Sequence, residues 1–148
     1  MKCSICQILQ SGQDEEILLQ SDHWRVVLAP DQAYLGRSYV TLLEHRSSLA
    51  DLSSNQWLDL QLVIQTYEEM MLMALDSTLC NWVCLMNNAV RDGEETHVHW
   101  HVRPRHAGLV VLGGMEFRDP NYGHHYDSAA HRMVTRAELA LIGRTLRS

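Results

Sequence analysis

Between Thr96 and His106 the chain reads T-H-V-H-W-H-V-R-P-R-H, with histidine and large apolar residues in strict alternation from His97 to Val102. A period of two is the signature of a half-buried strand. Residues two apart share a face, so His97, His99 and His101 line one side while Val98, Trp100 and Val102 point into a core. A strand rises about 3.3 Å per residue, which sets the outer two histidines roughly 13 Å apart, whereas a metal–nitrogen bond is about 2 Å long. One ion does not bind all three. The row is a polar wall whose members have separate tasks.

With 148 residues, 46% of them hydrophobic, the chain is expected to form one domain spanning residues 1–148. No apolar run approaches the roughly 18 residues of a membrane span, and the opening M-K-C-S-I-C lacks the apolar core of a secretion signal. The expectation is a cytoplasmic protein without a membrane partner. A net charge of −6 argues against a broad surface that tracks the phosphates of a nucleic acid polymer. Any nucleotide contact is then local, inside a pocket. In a reducing compartment the pair Cys3 and Cys6, a C-x-x-C, points to metal binding or redox chemistry rather than a structural disulfide. It supplies only half of a tetrahedral site, and spacing alone does not select the other half among nine histidines and two further cysteines. Cys80 and Cys84 lie in an apolar run and read as core packing.

In chain order, 16–21 and 23–29 read as two strands of an antiparallel hairpin. A third, 38–43, follows Gly36 and leads into Glu44-His45-Arg46. A long helix capped by Ser53 or Ser54 places Trp57, Leu60, Ile64, Tyr67, Met71 and Leu75 on one face. Met70, Met71, Met73 and Met86 read as core filler. Residues 78–86 are rich in β-formers and form a strand beside the histidine strand, joined to it by a polar connection from Asn87 to Thr96. Residues 115–131 read as an ordered irregular loop. His124, His125 and His131 there either face solvent, close over the site or hold a second metal. Thr135-Arg-Ala-Glu138 opens a C-terminal helix with a capping box.

The run His97-Val98-His99-Trp100-His101-Val102 resembles the signature of the histidine triad nucleotide hydrolases and transferases, His-apolar-His-apolar-His and two apolar positions, with Arg103 in place of the last. Pro104-Arg105 is similar to the end of that strand in dinucleoside polyphosphate hydrolases of the family. The resemblance implies an α+β fold: an antiparallel sheet of about five strands, one long helix packed on it and a C-terminal helix. It implies cleavage at the α-phosphate of a dinucleoside polyphosphate or nucleoside phosphoramidate through a covalent nucleotidyl-histidine, in a homodimer built on the long helix and the 78–86 strand. His99 matches the nucleophile and His101 the phosphate-contacting histidine, which suits charge neutralisation in the transition state. Asn87, or Asn88 one residue on, matches an amide that contacts the ribose-phosphate region. Gly93 matches a glycine that lets backbone amides approach phosphate, and Arg105 and His106 are candidates for charge at the mouth.

Some histidine triad proteins carry a structural zinc on an N-terminal C-x-x-C, a histidine after the strand before the long helix and the first triad histidine. These positions correspond to Cys3, Cys6, His45 and His97. Where the family usually has Gly-Gln-Ser/Thr-apolar, this chain has Gly93-Glu94-Glu95-Thr96. Two carboxylates beside an anion site imply a leaving group that carries an amine, side chains turned to solvent, or a nucleotide-binding module without turnover; the first leads to the expectation that an amine-bearing phosphoramidate outpaces a dinucleoside tetraphosphate.

Overall fold

The structure is a computed structural model that describes residues 2–13 and 16–148. Five strands form one antiparallel sheet: β1 (Ile17–Gln20), β2 (Trp24–Leu28), β3 (Ser38–Leu42), β4 (Leu79–Val83) and β5 (His99–Arg105), in the spatial order β1-β2-β3-β5-β4. The expected α+β architecture is present. Register sets which residues share a face: Trp24 pairs with Leu42, Val26 with Val40 and Leu28 with Ser38. Trp24, Val26, Val40, Leu42, Val98 and Val102 therefore lie on one side of the sheet, each 0% exposed. Burying a side chain of this size contributes about 1.5–3 kcal/mol. The opposite face carries Tyr39 and Thr41 opposite His101 and His99. That face holds the site.

The apolar face is covered by α2 (Ser54–Leu75) and α4 (Arg136–Arg147). Ser53 is the N-cap of α2, and Gln56 completes a reciprocal capping box. The buried stripe is Gln56, Leu60, Val63, Tyr67, Met71 and Leu75. At the first two turns it is rotated from the expected one: Trp57 is 41% exposed and Val63 takes the inner position. Gln56 causes the rotation. Its backbone carbonyl accepts the buried Trp24 indole N–H at 2.9 Å, and its amide donates to Glu44 at 2.9 Å, so polar bonding fixes the phase that hydropathy alone assigns to Trp57. Met71 is core, whereas Met73 is 85% exposed. Thr135 and Glu138 form the expected capping box on α4.

Four elements depart from the sequence reading. The N-terminal segment folds as α1 (Ser4–Ser11), capped by the Cys3 sulfur, which accepts the Cys6 N–H. The 78–86 strand ends at Val83, and the polar connection contains α3 (Asn87–Asp92). The histidine strand enters the ladder at His99 rather than His97 and runs on through Pro104 to Arg105. The 115–131 loop begins as a strand: β6 (Val110–Leu112) and β7 (Met115–Phe117) form a hairpin on Gly113-Gly114. Both turn glycines have positive φ, +57° and +80°, as a two-residue hairpin turn requires. Among the described residues, no helix is long and apolar enough to cross a membrane.

Candidate active site and metal centre

His97 divides its two ring nitrogens between the sheet and the N-terminus. A carbonyl only accepts, so the 2.7 Å contact between Nε2 and the Leu42 carbonyl places the proton on Nε2 and leaves an Nδ1 lone pair facing Cys3 and Cys6. Nδ1 lies 3.5 Å from Cys3 Sγ, 3.4 Å from Cys6 Sγ and 3.3 Å from His45 Nδ1. Cys6 Sγ is 3.3 Å from His45 Nδ1, and all four ligand atoms lie within 4.8 Å of one another. A tetrahedral ion with bonds of about 2.0 Å to nitrogen and 2.3 Å to sulfur separates its ligands by about 3.3–3.8 Å. The four distances of 3.3–3.5 Å between His97, His45 and the cysteine sulfurs match those spacings. Cys3, Cys6, His45 and His97 thus form the Cys2His2 set of a closed structural zinc site, with the Leu42 carbonyl holding the other His97 nitrogen's proton and fixing the ring. Burial, the neighbouring Cys3 and the Glu95 charge push the Cys6 thiol up to about 11, so protons leave when metal enters and metal affinity drops as the solution is acidified.

His99 stands next on the strand. Its Nδ1 is 2.8 Å from the His97 carbonyl, which fixes the proton on Nδ1 and leaves Nε2 unprotonated. His101 follows, its ring centroid 5.0 Å from that of His99 and 5.3 Å, edge to face, from Tyr39. Burial, His99, Arg103 and Arg37 push His101 down to about 4, so it is neutral at pH 7. The three histidines border a cavity of about 660 Å³. Ile5, Ile8 and Leu9 of α1 and Val27 supply apolar lining; Asn87, Asn88, Thr41 and Glu95 supply polar groups; Arg37 and Arg103 supply charge.

The depressed His101 value has a consequence for stability. The unfolded imidazole protonates below about 6.5 while the folded one does not until about 4. A depressed folded value stabilises above the unfolded pKa, and that contribution is lost as pH falls from about 6.5 toward 4. Melting curves of His101→Gln are expected to lack that part of the acid slope. An unchanged slope in the variant would show that His101 titrates normally.

Several expected site residues stand elsewhere. Arg105 is not at the mouth: its side chain is 3% exposed and makes a two-bond ion pair with Asp119, at 2.6 and 3.1 Å. Its Nη1 also donates to Asn81 and to the His124 carbonyl, and Nη2 to the Asn121 carbonyl, so it braces the 119–124 segment against the sheet. By strand parity Arg105 shares the face of His99, His101 and Arg103, but Asp119, Asn81 and the carbonyls of residues 121 and 124 cover that end of β5 and enclose its guanidinium. His106 is likewise buried, at 4% exposure. The Gly93 N–H is committed to the C-cap of α3, bonded to the Ala89 and Val90 carbonyls, and does not point into the pocket. Glu94 accepts the Ser4 N–H at 3.2 Å and pairs with Lys2 at 3.5 Å, outside the cavity lining. Glu95 does border the cavity, at its metal end, 3.9 Å from His45 Nε2. Among the described residues the Cys2His2 set is the only metal-type cluster of three or more, and His124, His125 and His131 are not drawn together into one. His131 is bonded to Asp31 instead.

The sequence reading missed Arg37, Arg103 and the apolar face of α1. Arg103 had a signal: by period two it shares the face of His97, His99 and His101, and it occupies a position that is apolar in the motif it resembles.

No family model and no curated protein matches the sequence. Solved structures do. A zinc-bound histidine triad family protein of Mycobacterium smegmatis superposes with a TM-score of 0.63 over 99% of this chain and 91% of that one, at 19% identity. A hypothetical histidine triad nucleotide-binding protein of Sulfolobus tokodaii gives 0.69 over 98% and 89%, at 14% identity. Plasmodium falciparum diadenosine triphosphate hydrolase gives 0.61 over 89% and 74%, at 13% identity. The chain has the histidine triad fold.

Proposed function

We propose that this protein is a nucleotide hydrolase or nucleotidyl transferase that cleaves at the α-phosphate through a covalent intermediate on His99. The observation that carries the reading is the 2.8 Å bond from His99 Nδ1–H to the His97 carbonyl, which leaves the opposite nitrogen with a free lone pair at the cavity. Nε2 attacks the α-phosphorus, the bond to the leaving group breaks, and the leaving group departs with the electron pair and takes up a proton. Water then attacks the phosphorus; the P–Nε2 bond breaks and returns neutral imidazole. Two moderate displacements replace one difficult one. Asn87 or Asn88 contacts the ribose-phosphate region, and His101, neutral at pH 7, donates a hydrogen bond rather than a charge.

Zinc on Cys3, Cys6, His45 and His97 closes four ligands and contributes structure. The ligand residues hold the start of α1, and with it Ile5, Ile8 and Leu9, against the cavity. A reducing compartment, consistent with a cytoplasmic location, keeps the thiols available as ligands. The reading includes a homodimer. β4 is an edge strand, and Leu58, Leu62 and Leu79 are 61%, 61% and 51% exposed on the surfaces such a dimer would cover.

The test is a screen of nucleoside phosphoramidates and dinucleoside polyphosphates with intact-mass detection after acid-free quench. Turnover with a nucleotidyl mass increment on the protein is the expected result. Nucleotide binding with neither turnover nor adduct would reject the enzyme in favour of a binding module.

A further inference from the structure

The cavity ends in two guanidinium groups that the proposed chemistry at the α-phosphate does not use. Arg103 follows His101 on the same face of β5, is 7% exposed, and lies with its Cζ 4.0 Å from the centre of the Tyr126 ring. Among the described residues it has no ion pair, and its Nη1 is buried without a hydrogen-bond partner. A buried cation with an unmet donor is costly unless something arrives to meet it. Arg37, which leads into β3, borders the same end of the cavity. One of its nitrogens pairs with Asp31 at 3.0 Å, while Nε is buried and unpartnered.

Asp31 balances the charge of Arg37 and leaves Arg103 without a carboxylate. It accepts from Arg37, His131 and the N–H groups of Ala33 and Arg132, so its two oxygens are committed. Glu95, the one carboxylate on the cavity lining, sits at the metal end against His45. His101 lies between the two ends and is neutral at pH 7. The cavity thus has a polarity along β5: closed metal cluster, nucleophile, neutral histidine, then two guanidinium forks, of which Arg37 is paired with Asp31 and Arg103 is not.

We infer that Arg37 and Arg103 form a subsite for a second anionic group, the phosphate next to the α-phosphate, so that the preferred substrates are nucleoside polyphosphates rather than phosphoramidates of amines. Guanidinium forks match phosphate oxygens in pairs, which a single ammonium does not. The inference rests on the nucleotide reading of the cavity. It also reverses the expectation drawn from Glu94 and Glu95, because Glu94 is outside the pocket and Glu95 is at the far end from the arginines.

Inorganic tripolyphosphate is the probe that separates the subsite from the reaction. Calorimetry on the zinc-loaded protein is expected to show binding that weakens about 10- to 100-fold in Arg103→Gln, the loss of a charged hydrogen-bonding partner. Ser128→Asp, an exposed substitution on the cavity rim, is expected to weaken it at least about tenfold by adding an anion, and it stands in if R103Q does not fold. Unchanged tripolyphosphate affinity in the folded variants overturns the subsite. With substrates, R103Q is expected to lower kcat/KM for a dinucleoside tetraphosphate by about 10- to 100-fold and for an amine phosphoramidate by less than about threefold. Equal losses on both would place Arg103 on the α-phosphate and overturn the assignment. If the wild-type protein turns over neither substrate, the proposed function fails, and tripolyphosphate binding still decides the subsite.

Discussion

His99→Ala is expected to reduce nucleotide turnover by roughly four to six orders of magnitude while nucleotide affinity changes little. The asymmetry follows from where the side chain acts. Under the proposed function the ground-state nucleotide rests on α1, Val27 and the amides of Asn87 and Asn88, which line the cavity independently of His99. In the transition state Nε2 makes the partial bond to phosphorus, so its removal deletes an interaction present only there. The loss corresponds to about 5–8 kcal/mol of barrier. His99→Gly with added imidazole sharpens the result: a small free nucleophile placed in the vacated space should restore part of the rate, and no adduct should form on the protein. Retention of even a tenth of the wild-type rate in His99→Ala would remove His99 from the nucleophile's role.

The alternation in 97–102 made the face assignment legible, because strand parity is a local property of the chain. Val98 and Val102 are fully buried and the three histidines share the opposite face, as that pattern requires. The metal cluster was legible only with the resemblance. Cys3 and Cys6 are adjacent in a C-x-x-C, but the histidines lie 39 to 94 residues from them, and no local period links Cys3 to His97. What escaped the sequence was decided by partners far along the chain. Arg105 reads as a free cation after a strand; Asp119, Asn81 and the 121–124 carbonyls make it a buried brace. Glu94 reads as a carboxylate beside a phosphate site; the N-terminus of α1 and Lys2 take it away. Trp57 reads as core by hydropathy; the polar bonds of Gln56 turn α2 so that it is not. The Gly113-Gly114 turn was a local signal for a hairpin, and the polarity of the segment after it hid the strand.

Cys3→Ser with Cys6→Ser is expected to abolish stoichiometric zinc and lower the melting temperature by roughly 5–15 °C, the effect of losing a ligand present at 100 to 1,000 times its dissociation constant in a chain of this size. The change should be local at first. α1 contributes no fully buried residue of its own; besides the Glu94 contacts with Ser4 and Lys2 and the Glu95 N–H donating to the Lys2 carbonyl, it is held by the Cys3 and Cys6 contacts with His97 and His45. Without metal, two imidazole Nδ1 atoms stand 3.3 Å apart, and His97 brings a lone pair to that contact because its proton is held by Leu42. Without metal that contact keeps at most one hydrogen bond, from His45 Nδ1–H to His97 Nδ1, in place of four metal–ligand bonds, so loss of the ion should loosen both the N-terminal segment and the 45–47 turn. Proteolysis should then cut within residues 2–13 before the domain unfolds. Because Ile5, Ile8 and Leu9 line the cavity, KM for nucleotides should rise more than kcat falls, the mark of lost binding surface rather than lost chemistry. Chelation of zinc from the wild-type protein should reproduce the shift in melting and the rise in KM without any mutation. A double variant that keeps one zinc per chain would show that the ion sits elsewhere, and unchanged proteolysis at the N-terminus would show that α1 is held by packing alone.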